Sequence, residues 1–567
     1  MIGNLIGSLS PGLILIVGAL LVPLLRGHLR SGYMLALPVV AFVHLLALPH
    51  GEFGQIQILD LALVTLRIDK LSAVFGYIFL IATLLGVIYA LHVKDTLQHV
   101  AALIYAGSAV GAVFAGDLFT LFLYWEGTAI ASVFLIWAQR SMRAYRAGMR
   151  YLVIQIGSGV LLLTGVLIHY RTTGSIAFDH IGLGSPASYL IFIAFGIKCA
   201  FPFLHNWLQD AYPEATVTGT VVLSVFTTKL AVYALARGFA GTEILIPIGA
   251  AMTAFPIFYA VIENDLRRVL AYSLNNQLGF MVVGIGIGTE MALNGTVAHA
   301  FCHILYKALL FMSMGAVLFR VGTIKGSELG GLYKSMPWTA GFCIVGAASI
   351  SAFPLFSGFV SKALIITAAM DGGYFWTWIV LLFASAGVFH HSGIKIPYFA
   401  FFAHDSGKRC AEAPGNMLTA MAITAALCVL IGVFPQPLYD ILPHAVNFRP
   451  YTLDHVVTQL QLLMFSALAF TVLMRTGLYP PELRSTNLDF DWFYRRAGFD
   501  LARGTWRGAE LGWSALVEAA RHGASRAMHA VHHYHGPQGI LARTWPTGTM
   551  AFWSTVMLAA YLILSYL

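Results

Sequence analysis

Long apolar runs follow one another along almost the whole chain, with short polar loops between them. Many of these runs have about 18 or more residues, and a helix of about 20 apolar residues crosses the hydrocarbon core of a bilayer. The pattern predicts an all-α polytopic membrane protein with about 16 transmembrane helices. The predicted spans are 5–25, 32–49, 70–92, 98–115, 117–138, 148–169, 187–209, 217–237, 243–262, 268–288, 293–319, 338–370, 374–400, 416–434, 455–478 and 548–567.

Lysine and arginine cluster in alternate loops between these spans. Cytoplasmic loops of membrane proteins carry an excess of both residues. The loops that join an odd-numbered span to the next span are therefore predicted to be cytoplasmic, and both termini lie on the other side of the cell (inner) membrane. The residues that carry the asymmetry are Arg26, Arg30, Lys94, Arg140, Arg143, Arg146, Arg267, Arg268, Arg320, Lys325, Lys334, Lys408 and Arg409.

The composition fits a membrane protein and argues against several other classes. The chain is 58% hydrophobic and 10% charged, whereas soluble domains carry about 25% charged residues. The net charge of +8 follows from the loop asymmetry and does not indicate binding to nucleic acid. The scattered cysteines and the lack of a nucleotide-binding glycine motif predict no cofactor and no metal site.

Ionisable side chains recur inside the apolar runs. Glu126 lies near the middle of LFTLFLYWEGTAIASVFLIWAQ (118–139), where a charge costs about 2.5–3.5 kcal/mol on insertion scales. Charged groups at this depth usually face the protein interior or a water-filled path, and Glu, Lys and His can each exchange a proton. The sequence therefore predicts a proton relay. Its candidate members are Glu126, Lys198, Lys229, His299, His303, Lys307, Lys362, His390, His391 and Lys395.

Each candidate also has a plainer interpretation. Glu126 can be a structural ion-pair partner, and Lys362 and Lys395 can extend their amines to the membrane surface. The histidines can hold neighbouring helices together by hydrogen bonds. Many such residues at repeat-related places favour the relay.

Two predicted spans contain a proline near a lysine, Pro202 near Lys198 and Pro354 near Lys362. Proline lacks an N–H group and disturbs the preceding turn. Helices broken at corresponding places in two halves are typical of transporters with inverted repeats, so we predict two inverted five-helix repeats. The predicted segments are a three-helix segment at 1–95, the repeats at 96–240 (spans 4–8) and 241–400 (spans 9–13), spans 14 and 15 at 401–480, an amphipathic region at 481–547 and a last transmembrane helix at 548–567.

The region 481–547 is polar and rich in arginine. Its heptad-like spacing of apolar residues predicts an amphipathic lateral helix on the cytoplasmic surface, pressed against the membrane domain or a neighbouring subunit. An ordinary interfacial helix is the alternative. The apolar face is Phe499, Trp506, Trp513, Val517 and Ala520, and the arginines are Arg484, Arg495, Arg496, Arg503, Arg507, Arg521, Arg526 and Arg543. Two interpretations remain for the histidines near the end of this region, metal binding and contact with anionic lipid. These residues are His529, His532, His533 and His535.

Several motifs stand in a fixed order between about 60 and 400. They are LRIDKLSAVF with Asp69, WEGTAIAS with Glu126, IKCAFPFLHNWLQDAYPEATVTGT, ENDLRRVLAYSLNNQLGFM and AHAFCHILYKALLF. They resemble the signatures of the antiporter-like subunits of respiratory complex I and of Mrp-type cation/proton antiporters. The segment GTIKGSELGGLYKSMPW and Lys362 look closest to the D subunit of the Mrp-type antiporters.

The resemblance implies roles for most of the candidates. It implies that Glu126, the fifth-span glutamate, forms an ion pair with Lys198, the central lysine of the first half-channel. The other matches are Lys229 to the eighth-span lysine, His299, His303 and Lys307 to the central connecting axis, and Lys362 to the terminal lysine of the second half-channel. The departures from the family pattern are Gly127 in place of Leu, Val217 in place of Pro, and the pair His390 and His391.

We therefore expect a proton-translocating membrane subunit of a multi-subunit cation/proton antiporter. Its partners would be other membrane subunits, lipid and protons, with Na⁺ as a further candidate ion, and it would be a transporter subunit and not an enzyme. The alternative is the same module in a redox-driven or inorganic-carbon-coupled complex, such as a complex I relative, a membrane-bound hydrogenase or a carbon uptake complex. A structural subunit with a vestigial path is a third possibility, against which the intact set of buried ionisable residues argues.

Overall fold

A computed structural model of the chain describes residues 9–58, 60–483, 487 and 489–567. Residues 5–8 of the first predicted span and Arg484 of the basic region lie outside the described residues. The chain forms two compact units, one up to Asn487 and one from residue 488 to Leu567.

The first unit begins with helices and a two-stranded hairpin. The elements are α1 Pro11–Leu21, α2 Gly27–Ala47, β1 Gly51–Ile58, β2 Leu61–Ile68 and α3 Lys70–Ala90. The strands are antiparallel, and Gly51 pairs with Ile68. The hairpin was not predicted from the sequence, because it occupies a loop between two spans that dominate the hydropathy pattern.

The remaining elements of the first unit are helical. They are α4 Thr96–Val113, α5 Leu118–Trp137, α6 Met142–Thr173, α7 Pro186–Cys199, α8 Asn206–Ala211, α9 Val217–Leu223, α10 Thr227–Gly238, α11 Leu245–Ile262, α12 Leu266–Ile287, α13 Glu290–Val321, α14 Pro337–Ile350, α15 Ser357–Asp371, α16 Phe375–Val388, α17 Gly415–Val433, α18 Gln436–Asp440 and α19 Leu453–Thr476. Short 3₁₀ turns lie at Val22–Leu24, Tyr212–Glu214, Gly326–Glu328 and Leu332–Lys334.

The helices confirm a multi-pass membrane protein. Within the described ranges, 12 helices are long and apolar enough to cross a membrane, and Pro11–Leu24, Pro186–Cys199 and Pro337–Ile350 are shorter apolar helices. Each predicted span coincides with at least one helix. The number of 16 crossings itself stays a prediction.

Polar caps begin the helices that carry the first candidate residues. Asp117 accepts the Thr120 N–H at 2.7 Å at the start of α5, and Ser185 and Ser188 form a capping box at the start of α7. Such side chains satisfy N–H groups that have no partner inside the helix. They set where each helix begins and therefore at which depth Glu126 and Lys198 lie.

The two predicted helix breaks are present and have the same backbone conformation. Between α7 and α8, Ala200 and Phe203 have φ values of 62° and 70°. Between α14 and α15, Ala352 and Leu355 have φ values of 55° and 75°. The two breaks share the sequence Ala-Phe-Pro followed by Phe or Leu. This match is consistent with the predicted repeats, which together with their boundaries stay a prediction.

Two further interruptions were not predicted. Residues 224–226 separate α9 from α10, so the eighth predicted span is also broken. After α16 the chain continues through π-helical Phe389–Ile394, a short α-helical piece at Lys395–Pro397 and π-helical Tyr398–Phe402. π-Helical turns inside helices occur frequently at functional sites, and this one contains His390 and His391.

Ion pairs connect the hairpin to the end of α10. The Arg237 guanidinium donates to both carboxylate oxygens of Asp69, at 2.8 and 2.7 Å. Arg67 donates to Asp179 Oδ1 at 2.8 Å. Burial alone would raise the pKa of Asp69, but the attraction of Arg237 and the hydrogen bond from the Ser72 N–H hold it below its usual range. The cluster anchors the helix that carries Lys229.

The second unit consists of two long helices, α20 Gly498–His535 and α21 Thr547–Tyr566, with π-helical Phe493–Ala497 before the first. The region predicted as a lateral helix is therefore helical over Gly498–His535, and its place on the cytoplasmic surface stays a prediction. Its aromatic residues Phe499, Trp506 and Trp513 are 56%, 75% and 71% exposed. Among the described residues, no group of three or more His, Cys, Asp or Glu side chains is arranged to hold a metal ion, and this includes the histidines of α20.

Candidate functional site

The Glu126 carboxylate on α5 lies against Gly159 of α6. A Cβ atom added at Gly159 would overlap the carboxylate, so the glycine provides the space that Glu126 occupies. Oε1 of Glu126 is buried and has no hydrogen-bond partner among the described residues. A buried oxygen of this kind needs a proton, a water molecule or a moving cation to be stable.

Lys198 is fully buried at the end of α7, directly before the first break. Its Nζ donates to the Trp125 carbonyl at 2.6 Å and to Thr128 Oγ1 at 2.9 Å, and it lies 4.4 Å from the centroid of a Trp125 ring. The expected direct ion pair with Glu126 is not formed in the described part of the chain. The amine instead donates to neutral oxygen atoms of α5, the helix that carries Glu126. These acceptors belong to residues before and after Glu126 in the sequence.

Lys229 is fully buried at the start of α10, after the unpredicted break. Its Nζ donates to the Ser224 carbonyl at 2.5 Å. That carbonyl belongs to the C-terminal end of α9. Carbonyl groups there lack partners inside the helix, and the helix dipole places a partial negative charge at this end. The break thus supplies an acceptor for the buried cation.

Lys362 on α15 uses the same arrangement at the second predicted break. Its Nζ donates to the carbonyl of Ile350, the last residue of α14, at 2.9 Å. It also lies 5.0 Å from the centroid of the Phe280 ring. Lysines in both halves are therefore held by carbonyl groups that helix breaks leave free.

The histidines of α13 form a buried polar line. His299 contacts Ser361 Oγ at 3.1 Å through Nδ1 and Gln277 Oε1 at 3.2 Å through Nε2. The Tyr306 hydroxyl also donates to Gln277 at 3.2 Å. Because Ser361 is adjacent to Lys362, these contacts connect α13 to the second broken helix.

Two further candidates on α13 are buried without hydrogen-bond partners. Both ring nitrogens of His303 and the Nζ of Lys307 have none among the described residues. The ring centroids of His299 and His303 are 6.1 Å apart. Leaving such groups unsatisfied is costly, so buried water is the expected bridge along this helix.

The structure separates the two neighbouring histidines of the π-helical turn. His391 is buried, its Nδ1 contacts Ser392 Oγ at 2.9 Å, and Ser392 donates to Ser273 at 2.7 Å. His390 packs between aromatic rings, at centroid distances of 5.1 Å from Phe470 and 5.6 Å from Tyr479. Of the two histidines, only His391 therefore belongs to a buried polar cluster, which it forms with Ser392 and Ser273.

Lys395 is buried and has a carboxylate partner that the sequence pattern did not indicate. Its Nζ lies 2.9 Å from Glu482 Oε1. It also donates to the carbonyl groups of Val261 at 2.6 Å and Glu263 at 2.7 Å, at the end of α11. Glu482 lies in a Pro-Pro-Glu loop outside every predicted span, so hydropathy could not identify it.

The candidates form separate clusters, not one continuous hydrogen-bonded chain. Within the described residues, no direct hydrogen bond joins Lys198 to Lys229 or Lys307 to Lys362. Direct hydrogen bonds among the described residues therefore do not connect one cluster to the next. Lys198, Lys229 and Lys307 are all buried, so none of the three lies on the outer surface of the chain.

Comparison with known proteins identifies the family. The family described as NADH:quinone oxidoreductase/Mrp antiporter, TM, matches residues 115–389. The D subunit of the Na(+)/H(+) antiporter of Alkalihalophilus pseudofirmus is 30% identical over 353 residues, which cover 58% of this chain and 71% of the relative. Hydrogenase-4 component B of Escherichia coli is 26% identical over 540 residues, which cover 83% of this chain and 78% of the relative.

A solved structure supports the same fold. A chain of the Mrp complex from Dietzia sp. DQ12-45-1b superposes with a TM-score of 0.66 at 21% identity, covering 82% of this chain and 95% of that chain. The relatives are subunits of multi-subunit membrane assemblies. The chain belongs to the NADH:quinone oxidoreductase/Mrp antiporter family of transmembrane subunits.

Proposed function

We propose that this chain is the proton-translocating membrane subunit of a multi-subunit cation/proton antiporter. The observation that carries the proposal is the set of buried lysines held at helix breaks in both halves, Lys229 on the end of α9 and Lys362 on the end of α14. Neutral carbonyl groups stabilise a buried cation less than a carboxylate does. These amines can therefore lose and regain a proton without leaving an unpaired buried anion.

In the first half, Glu126 controls the proton on Lys198. When the amine binds Trp125 and Thr128, as here, it has only neutral acceptors. When it turns to the Glu126 carboxylate, the ion pair keeps it protonated. Exchange between these two positions favours proton release in one state and proton uptake in the other.

In the second half, His299 connects the α13 line to the broken helix through Ser361. Water between His303, Lys307 and Lys362 would complete the line, because the polar atoms of His303 and Lys307 are buried without a partner among the described residues. His391 and Lys395 would lead the path toward the membrane surface that carries Arg267 and Arg268. We propose that this surface is cytoplasmic and that both termini are on the opposite side.

The chain would act as a transporter subunit without an enzymatic reaction of its own. Its partners would be other membrane subunits, and protons with Na⁺ as a second candidate ion would be its cargo. The proposed repeats are 96–240 and 241–400, which place one Ala-Phe-Pro break in each half.

Substitution of Glu126 tests this function. We expect Glu126→Gln, which keeps the shape and removes the charge, to lower transport by about tenfold or more while the complex assembles. The measurement is the Na⁺-induced loss of a proton gradient in inverted membrane vesicles, reported by acridine orange. Glu243→Gln in an exposed loop is the matched control. Normal transport by assembled Glu126→Gln would contradict the role of Glu126.

A redox-coupled complex is the second candidate. The observation in its favour is that the match to hydrogenase-4 component B covers 83% of this chain, against 58% for the D subunit of the antiporter. Affinity purification of the tagged chain followed by mass spectrometry separates the two. Small antiporter-type membrane subunits support the first function, and co-purifying redox subunits support the second.

A further inference from the structure

The segment Gly477–Leu483 brings a carboxylate to the last buried lysine of the line. The carboxylate oxygen of Glu482 and the Nζ of Lys395 are 2.9 Å apart, and their side chains are 7% and 0% exposed. No other candidate lysine has a direct carboxylate partner in the described part of the chain. This difference sets Lys395 apart from Lys198, Lys229, Lys307 and Lys362.

The fold holds this segment against the membrane helices. Helix α19 ends at Thr476, and Gly477 turns the chain with φ of 71°. The Tyr479 N–H then donates to the Leu473 carbonyl at 3.0 Å, and the Tyr479 ring packs on Phe470 and His390. The two prolines that follow restrict the backbone, so Glu482 is directed inward.

The other charged groups near Lys395 are already engaged. Glu263 accepts the N–H groups of Asn264 and Asp265 at 3.0 and 3.1 Å. Its other oxygen accepts from Asn487 at 3.1 Å and lies 3.8 Å from the Arg268 guanidinium. Glu482 is therefore the carboxylate that is available to exchange a proton with Lys395.

We propose that Glu482 is a further proton-carrying residue and the exchange partner of Lys395 at the end of the line, an inference that rests on the proposed function. The Lys395 ammonium transfers one proton to the Glu482 carboxylate, which leaves a neutral amine and a neutral carboxylic acid. The acid then releases that proton to water at the membrane surface. The transfer itself keeps the pair neutral. Release of the proton leaves the Glu482 carboxylate beside a neutral Lys395 amine until that amine takes up the next proton from the line, which restores the ion pair.

The surroundings of Glu482 favour this exchange. Burial raises the pKa of Glu482 above its usual range, although the positive charge of Lys395 opposes the shift. The titratable and charged groups that face the pair are Glu263, Tyr479, His390 and His391, and Arg268 lies behind Glu263.

The first test measures transport against pH in inverted vesicles. We expect Glu482→Gln to lower the rate by about tenfold or more and to remove one titration step from the pH profile. Glu482→Asp, which keeps a carboxylate, should retain more activity than Glu482→Gln. The matched control is Glu412→Gln, because Glu412 accepts hydrogen bonds from Trp338 and Thr339 and forms no ion pair with a lysine among the described residues.

A second readout keeps the inference separate from the proposed function. Infrared spectra of the purified complex across neutral pH should show a protonated carboxyl band that disappears in Glu482→Gln and titrates differently in Lys395→Gln. If the wild type moves no protons, the proposed function fails, and the infrared titration still decides the exchange. If Glu482→Gln does not assemble, the double variant Lys395→Gln and Glu482→Gln, which carries no lone charge, replaces it.

Three results would overturn the inference. They are an assembled Glu482→Gln or double variant with the wild-type rate and pH profile, a Glu482→Asp rate no higher than that of Glu482→Gln, and an unchanged carboxyl band in Glu482→Gln.

Discussion

At the scale of single residues, buried lysines are held by oxygen atoms of other helices. Lys229 and Lys362 donate to carbonyl groups at helix ends, and Lys198 donates to a carbonyl and a hydroxyl group of α5. Cations are stabilised near helix C-termini. These contacts give three buried amines hydrogen-bond acceptors without a carboxylate for each.

The space around Glu126 gives a residue-scale prediction. Gly159→Ala places a Cβ where the Glu126 carboxylate lies, so we expect the carboxylate to move and transport in vesicles to fall. Gly157→Ala on the same helix is the matched control, because its Cβ meets nothing within 4 Å. Both substitutions favour the helix by about 1 kcal/mol, so a stability effect alone would affect both alike. Equal transport by the two variants would contradict a role for this space.

The separation of His390 from His391 gives a second prediction. We expect His391→Gln to lower transport and flatten its pH dependence, because His391 is buried in a polar cluster with Ser392 and Ser273. His390→Gln should leave the pH profile nearly unchanged, because its ring packs on Phe470 and Tyr479. The measurement is the vesicle transport rate against pH for each variant. The reverse pattern would assign the relay to His390.

At the scale of elements, the ends of broken helices provide the carbonyl groups that accept hydrogen bonds from Lys229 and Lys362. Each break ends one helix early and leaves carbonyl groups without partners inside that helix. The two Ala-Phe-Pro breaks adopt left-handed backbone at the alanine and at the residue after the proline. At the second break this geometry places the end of α14 beside Lys362, and at the first break Lys198 lies in the last turn of α7 itself.

The alanines at these breaks give an element-scale prediction. A left-handed conformation disfavours residues with a Cβ, so Ala352→Gly should stabilise the protein by about 0.5–1 kcal/mol. Ala352→Val should destabilise it, because a β-branched side chain suits this region least. Thermal unfolding of the purified complex measures both. Ala363→Gly, inside α15, is the control and should destabilise by about 0.5–1 kcal/mol. A lower melting temperature for Ala352→Gly would contradict strain at the break.

At the scale of the whole molecule, the chain consists of a membrane unit and a C-terminal unit with two long helices. The aromatic side chains on one face of α20 are largely exposed. In an assembly of several subunits, an exposed aromatic face of this kind is a candidate contact surface.

The C-terminal helix gives a whole-molecule prediction. Deleting 485–540 should weaken assembly of the complex more than it lowers the transport rate of the complexes that still assemble. The reason is that Glu482 and all the other candidate residues remain. Native gels and co-purification measure assembly. The double variant Trp506→Ala and Trp513→Ala should weaken assembly in the same direction, while Glu518→Ala, away from this face, should not. Normal assembly after the deletion would contradict the prediction.

The amino-acid sequence determined the class, the helices and most candidate residues of this protein. Apolar runs define membrane helices locally, and Glu126, Lys198 and Lys362 stand out because a charge inside such a run is costly. Pro202 and Pro354 locate two breaks for the same local reason, since proline removes a backbone donor. The interruption at 224–226 and the π-helical turn have no comparable local signal and were missed.

Only the tertiary structure decided which groups meet. The choice of Trp125 and Thr128 over Glu126 as partners of Lys198 depends on how α5 packs against α7. The π-helical turn directs the His391 side chain into the protein interior. The pairing of Lys395 with Glu482 depends on the path of the chain after α19. Hydropathy reports burial along the chain, whereas a hydrogen bond or ion pair requires two distant segments to meet within about 3 Å.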